Sequence, residues 1–248
     1  MKPWPKDSAK RTEYVDAVFR RVAPRYDLLT RLLSWGQDGR WKARILTLLP
    51  PASRGARVLD LATGTGAFPI LMRRAGRSEP IFALDRSGAM LKLARAKCGA
   101  LRDVHLIQAD LNSPPVSGST FDVVLMGYGL RYLDDLQGAL RGIREILRPG
   151  GVLITLDFGL PERGWYRRLC LAYLFTFGTI WGIALHGKAD TYWHIVESLR
   201  AFPGQRALLC LLEQSGFSPV TMIEDLGGIS VTVQAERPAG AGARRRGA

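Results

Sequence analysis

Apolar residues recur along this chain in two rhythms. Tyr14, Val18 and Val22 keep helical spacing after Glu13, and Pro24 ends that helix. The spans 26–33 and 39–49 read as two more helices, and Pro50-Pro51 closes them, giving a helical lead over residues 1–54 that packs over the edge of a sheet. The rhythm then shortens to strand-length apolar runs near 57–62, 80–85, 103–108, 121–126 and 151–157. Helices near 66–75, 87–98 and 134–147 fall between them. Alternation of this kind predicts an α/β, doubly wound, mostly parallel sheet. Arg148-Pro149-Gly150-Gly151 reads as the turn that launches the fifth strand. A helical insertion over 162–200 follows, then a helix over 203–215 ended by Gly216. Two closing strands, Pro219 to Asp225 and Gly228 to Glu236, form an antiparallel hairpin through Gly227-Gly228. The core domain is thus 55–236, and residues 237–248 read as a disordered basic tail carrying Arg244-Arg245-Arg246.

The chemistry gathers at the first strand. Val58 to Ala62 runs straight into the turn Thr63-Gly64-Thr65-Gly66, and a helix follows. Glycines there let backbone approach a ligand, and the helix start offers free N–H groups. A dinucleotide fingerprint would need a third glycine where Pro69 stands, and it would not place Asp60 inside the strand. The pattern Asp-x-x-x-Gly-x-Gly resembles motif I of class I S-adenosylmethionine (SAM) methyltransferases, whose ligand carries an amino acid and a sulfonium. The second strand ends in Asp85, about 20 residues after the glycines, where an acid accepts hydrogen bonds from ribose hydroxyls. The third run ends in Asp110. Three acids at the carboxyl ends of three strands are placed where such sheets bind ligands. The competing reading is a tight strand-to-helix turn with no ligand.

Composition adds less. A chain of 248 residues, 47% apolar, predicts one large domain. Cys98, Cys170 and Cys210 match no zinc spacing and no disulfide framework, so no metal is expected and a reducing cytoplasm fits. The N-terminus shows no signal peptide. A net charge of +13 suits nucleic acid, anionic lipid or an anionic substrate, or simply a basic solvated surface. The stretch Leu169 to Leu185 has no charged residue. It reads as a wall for an apolar substrate, a dip into a lipid surface, a buried cap helix or a short membrane span.

Further motifs narrow the family. Phe19-Arg20-Arg21-Val22-Ala23-Pro24-Arg25-Tyr26-Asp27, Ser34-Trp35-Gly36 with Trp41-Lys42, and Gly129-Leu130-Arg131 resemble elements of the UbiE/MenG C-methyltransferases of ubiquinone and menaquinone synthesis. So do Tyr192 with Glu197-Ser198-Leu199-Arg200-Ala201-Phe202-Pro203-Gly204-Gln205, then Gly216-Phe217 and Gly227-Gly228-Ile229. The likeness runs from about residue 13 to 236 in the same order. It implies the class I methyltransferase fold, SAM as cofactor and methyl transfer to carbon of an apolar, prenylated quinol or phenol. It places SAM against Gly64, Thr65, Gly66, Asp85, the pair Asp110-Leu111 and Gly127, with Asp60 near the turn and Tyr26 closing over the methionine end.

On the acceptor side the resemblance points to Arg131, with a salt bridge to Asp134 or Asp135 as its rival role. Tyr128, Tyr132, Tyr192 and His194 are the candidate pocket residues, and His186 and His194 are the histidines placed to act as bases. Three positions depart from the family pattern. Tyr132 stands for its Asn, Gln37-Asp38-Gly39 covers the place of its His, and Asp157 replaces its Glu. They keep open a secondary-metabolite or prenyl-chain acceptor. A SAM-binding protein that touches RNA is the reading from another class, but the chain lacks the aromatic-basic interleaving of stacking platforms, so no nucleic acid is expected. Contact with a membrane periphery and a homodimer are left open.

Overall fold

The computed structural model describes residues 5, 7–116 and 118–239. Three helices lead: α1 (Ser8–Val22), α2 (Tyr26–Leu33) and α3 (Asp38–Leu48). Then come β1 (Val58–Leu61), α4 (Ala67–Arg74), β2 (Ile81–Asp85), α5 (Gly88–Cys98), β3 (Val104–Gln108), β4 (Phe121–Gly127), α6 (Leu136–Ile146) and β5 (Leu147–Phe158). The insertion holds α7 (Gly164–His186) and α8 (Trp193–Ala201), and α9 (Gln205–Gln214), β6 (Val220–Asp225) and β7 (Ser230–Glu236) finish the domain.

The seven strands lie in the order β3-β2-β1-β4-β5-β7-β6. The first five are parallel, and β7 inserts antiparallel between β5 and β6. Neighbouring residues of β1 serve opposite faces: Val58 joins one core cluster and Leu59 the other. Both faces are covered, so every position of β1 is buried, Asp60 included. One face carries α1 to α5, α7 and α8; the other carries α6 and α9.

Two expectations are corrected here. The helical lead does not cap a sheet edge. Val18, Val22, Leu29, Leu33, Trp41 and Ile45 bury into the core on one face, while the edge strands β3 and β6 stay half-exposed. An apolar stripe of that length needs a face, which an edge cannot offer. Arg148-Pro149-Gly150-Gly151 also does not precede β5 but interrupts it. Phe121 pairs Leu147, Val123 pairs Val152, and the extra residues bulge out with Gly150 at φ +80.

Arg237, the first residue of the expected tail, is bonded into the domain. It pairs with Gly150 and Gly151 through its backbone, and its guanidinium donates to the carbonyls of Arg144, Glu145 and Leu147. Residues 240–248, including the three arginines, lie outside the described residues.

Candidate active site

The carboxyl ends of β1, β2 and β4 border one cavity, and α1 and α2 roof it. Its polar wall is Asp85, and its floor is backbone at Ala62, Gly64, Gly127 and Gly129. Asp85 Oδ2 accepts the Gly64 amide at 2.7 Å and Oδ1 accepts the Ser87 amide at 2.8 Å. Each oxygen keeps a further lone pair for a ligand hydroxyl. Burial pushes the Asp85 pKa up, and the amide hydrogen bonds of Ser87 and Gly64 work against that. A carboxylate in this wall suits ribose hydroxyls. A side chain at Gly127 would sit 2.6 Å from the Phe68 ring, so glycine keeps the end of β4 flush with the floor. Ala62 and Tyr128 hold φ of +60 and +59 at the ends of neighbouring strands, a conformation retained where surroundings enforce it.

The other expected cofactor residues divide. Leu111 and Tyr26 line the cavity. Asp110 does not: it is exposed, lies beyond the end of β3, and its Oδ1 accepts the Asn112 amide at 3.1 Å. That turn presents Leu111 and Asn112 instead. Thr65 spends its hydroxyl on Asp27 Oδ1 at 2.7 Å, and Lys97 pairs with the same carboxylate. The pair fastens α2 over the glycine turn. Gly66, at φ +83, has Cys98 Sγ 2.5 Å from where its Cβ would stand, so it serves the packing of α4 on α5.

Asp60 lies beneath the turn, fully buried and outside the cavity wall. Its Oδ2 accepts from Thr63 Oγ1 at 2.6 Å, and Oδ1 finds no hydrogen-bond partner among the described residues. Burial pushes its pKa up to about 7, with the charge of Asp85 adding and Thr63 and Lys42 opposing. Asp60 therefore braces the turn from beneath, outside the cavity wall.

A second chamber adjoins the first and shares Phe19, Tyr26, Tyr128 and Tyr132 with it. Arg131 enters it from the turn Leu130–Tyr132. Its Nε donates to Asp157 Oδ1 at 2.6 Å, and Nη1 donates to Ser198 Oγ at 2.5 Å. The ion pair expected with Asp134 or Asp135 does not form, because Asp134 takes Arg11 at 3.1 Å and Asp135 caps α6. The Arg131 carbon Cζ lies 5.2 Å from the Tyr132 ring centre and 5.9 Å from that of Phe158. Burial works against its charge, but the Asp157 carboxylate more than offsets this and its pKa rises. Arg131 is thus a permanent buried cation.

His194 lines the same chamber. Its Nδ1 stands 3.0 Å from the Thr191 carbonyl, which can only accept. The proton therefore sits on Nδ1, and Nε2 carries a lone pair. Burial pushes its pKa down to about 3, and the Arg131 charge adds to this. Tyr128 donates its hydroxyl to Asp38 Oδ1 at 2.8 Å, and Lys42 binds the other oxygen of Asp38 at 2.8 Å.

Tyr192 lies in neither cavity. It packs under Gly178 of α7 and its hydroxyl meets His186 Nε2 at 2.7 Å, which also takes His186 away from the chamber. Both are fasteners of the insertion. Sequence reasoning did not assign Phe19, Met90, Asn112, Phe158 or Ser198 to the site. Phe19 and Ser198 sit inside recognised motifs, so a signal existed; Met90 and Asn112 carried none.

The fold and this rim-side cavity define a class I SAM-dependent methyltransferase. Solved structures agree on the fold. A SAM-dependent methyltransferase from Aquifex aeolicus superposes with TM-score 0.57 at 19% identity, covering 79% of this chain and 89% of that one. A Haemonchus contortus phosphoethanolamine N-methyltransferase with bound S-adenosylhomocysteine gives TM-score 0.63 at 13% identity, covering 94% of this chain and 60% of that one. The sequence goes further: residues 7–236 match the model of the ubiE/COQ5 methyltransferase family, and the chain belongs to that family. It is 34% identical over 225 residues to the ubiquinone/menaquinone biosynthesis C-methyltransferase UbiE of Azotobacter vinelandii, covering 89% of this chain and 88% of the relative. It is 35% identical over 203 residues to the demethylmenaquinone methyltransferase of Thermus thermophilus, covering 81% and 91%.

Proposed function

We propose that this enzyme methylates a ring carbon of an apolar, prenylated quinol, working in the cytoplasm at the periphery of a membrane. The observation that carries the acceptor reading is Arg131, a buried cation walled by aromatic rings beside the cofactor cavity. Asp85 and the backbone at Gly64 and Gly127 would hold the cofactor, with Leu111 and Met90 as apolar wall. When bound, SAM supplies a methyl group made electrophilic by its sulfonium.

The residues of this chain then have three tasks. Phe19, Tyr26, Tyr128 and Tyr132 exclude water between the two cavities. Alignment in such a closed site can supply about 7–11 kcal/mol of barrier reduction. Arg131 favours the phenolate form of the acceptor, which makes its ortho carbon electron-rich. The guanidinium cannot itself take a proton. As the new carbon–carbon bond forms, the ring carbon must lose a proton. His194 Nε2, neutral and unprotonated, can accept a hydrogen bond there, but a pKa of about 3 makes it a weak base. The proton on the methylated ring carbon is strongly acidic, so a weak base suffices, and a water oriented by the guanidinium would carry it on to solvent.

Incubation with methyl-labelled SAM and a membrane lipid extract tests the reading. Label is expected in a prenylated phenolic product. Arg131→Ala should lower kcat by roughly 10²–10³, and Arg131→Lys by less, as removing a preorganised charge does. A product found only among tail-less metabolites, or failure to restore quinone synthesis in a deficient cell, overturns the quinol reading.

A further inference from the structure

Helix α7 is apolar and almost bare. Among the described residues nine large apolar side chains are exposed, and eight of them lie on α2, the turn after it, or α7. Trp165, Leu169, Ala172, Thr176, Ile180 and Ile183 follow one another at steps of three and four, a single exposed stripe along the helix. The opposite side is fastened to the domain. Gly178 rests against Tyr192, and a side chain at Gly182 would strike the Lys188 carbonyl at 2.5 Å. Trp193 Nε1 donates to Thr179 at 2.9 Å, and Arg25 of the segment before α2 donates to the Leu185 carbonyl.

By length and composition α7 could cross a membrane. Crossing would strip those contacts along its whole length. Lying on its side immerses the stripe and keeps them. The ends of the stripe are basic: Arg163, Arg167 and Arg168 flank its first turn, Lys188 follows it, and Arg25 and Arg31 lie beside it, all exposed. The acids nearby are Glu162, which Arg206 binds at 2.5 Å, with Asp27 and Asp190. An apolar helix with a cationic rim fits an anionic bilayer leaflet.

Beneath the helix runs a groove of about 210 Å³, almost wholly apolar. Trp35 and Leu169 belong both to the exposed face and to this groove. Phe158 belongs both to the groove and to the chamber holding Arg131. A path of apolar side chains therefore joins the exposed face to the reaction chamber.

We infer that the α2–α7 face seats in one anionic leaflet and that the groove under α7 admits the acceptor's tail directly from the lipid. The tail half of this statement rests on the quinol reading; the docking half does not. Flotation of the full chain with vesicles of phosphatidylcholine and phosphatidylglycerol tests it. The protein should float with these vesicles, and much less with phosphatidylcholine alone. Ile180→Glu with Ile183→Glu should cut the bound fraction about tenfold or more, since charge in the immersed stripe is opposed. Its melting temperature and its stabilisation by S-adenosylhomocysteine should not change, because both positions are exposed and remote from the site.

A parent that stays in the aqueous fraction, or a double variant that floats as well as the parent, overturns the docking. So does a parent dimer that the double variant turns into monomers, because a second copy then covers the face. A tail-end photoreactive quinol should label Leu169 to Leu174; label confined elsewhere removes the tail path. Vesicle binding without any quinol methylation would sink the quinol reading alone.

Discussion

Asp60 and Asp85 stand on neighbouring strands, yet their surroundings give them different work. Asp85 reaches the cavity wall, and two amides hold it. Asp60 is sealed below the turn with one oxygen unpartnered. In an unfolded chain an aspartate titrates near about 3.9, whereas folded Asp60 titrates at about 7. The folded state keeps the proton longer, so stability from this group is full below about pH 4 and is lost as pH rises through 7. Each unit is about 1.4 kcal/mol, which makes the effect on the order of a few kcal/mol. Melting curves should fall between about pH 4 and 7, and Asp60→Asn should flatten that fall. An equal slope in the variant would remove the burial argument. Asp85 and Gly64 could be read from sequence because strand, turn and acid are close neighbours along the chain. The partners of Arg131, Asp157 and Ser198, are 26 and 67 residues away, so spacing said nothing of them.

At the scale of elements, the strand–turn–helix unit was legible down to its proline. Pro69 is the third residue of α4, where the missing amide would have had no intrahelical partner. The role of Gly66 was not. It reads as ligand approach, but its neighbour is Cys98 from another helix. Gly66→Ala should cost about 1–3 kcal/mol, from the left-handed backbone and the 2.5 Å contact together. Cys98→Ala in the same chain should recover the contact part and leave the backbone part. Urea unfolding measures both; no loss in the single variant would contradict the packing. Helix α7 shows the opposite limit. An uncharged run has the same sequence whether it is buried, spanning or lying flat; only the fold shows that Gly178 and Gly182 rest on the 188–192 turn while the other side of the helix is exposed.

For the whole molecule, the two halves of the site meet through the lead. Asp27 of α2 holds Thr65 and Lys97, while Tyr26 and Phe19 wall both cavities. A ligand bound there should stabilise the entire domain. At a hundred times its dissociation constant S-adenosylhomocysteine adds about 2.7 kcal/mol, a rise of roughly 5–10 °C in melting temperature for a domain of this size. NAD should give none, because Pro69 stands where a diphosphate fingerprint needs its third glycine. A shift with NAD, or none with the homocysteine product, would reverse the assignment of the cavity.

The sequence by itself determined the order of strands and helices, the glycine turn, the acid of the second strand and the family. Each of these is written in short-range spacing, where backbone geometry ties residue to position. The tertiary structure alone decided which acids face the cavity, which carboxylate holds Arg131, that Tyr192 and His186 fasten the insertion, and which side of α7 stays bare. Those outcomes depend on which buried surfaces meet, and contact between segments far apart in the chain leaves no period to read.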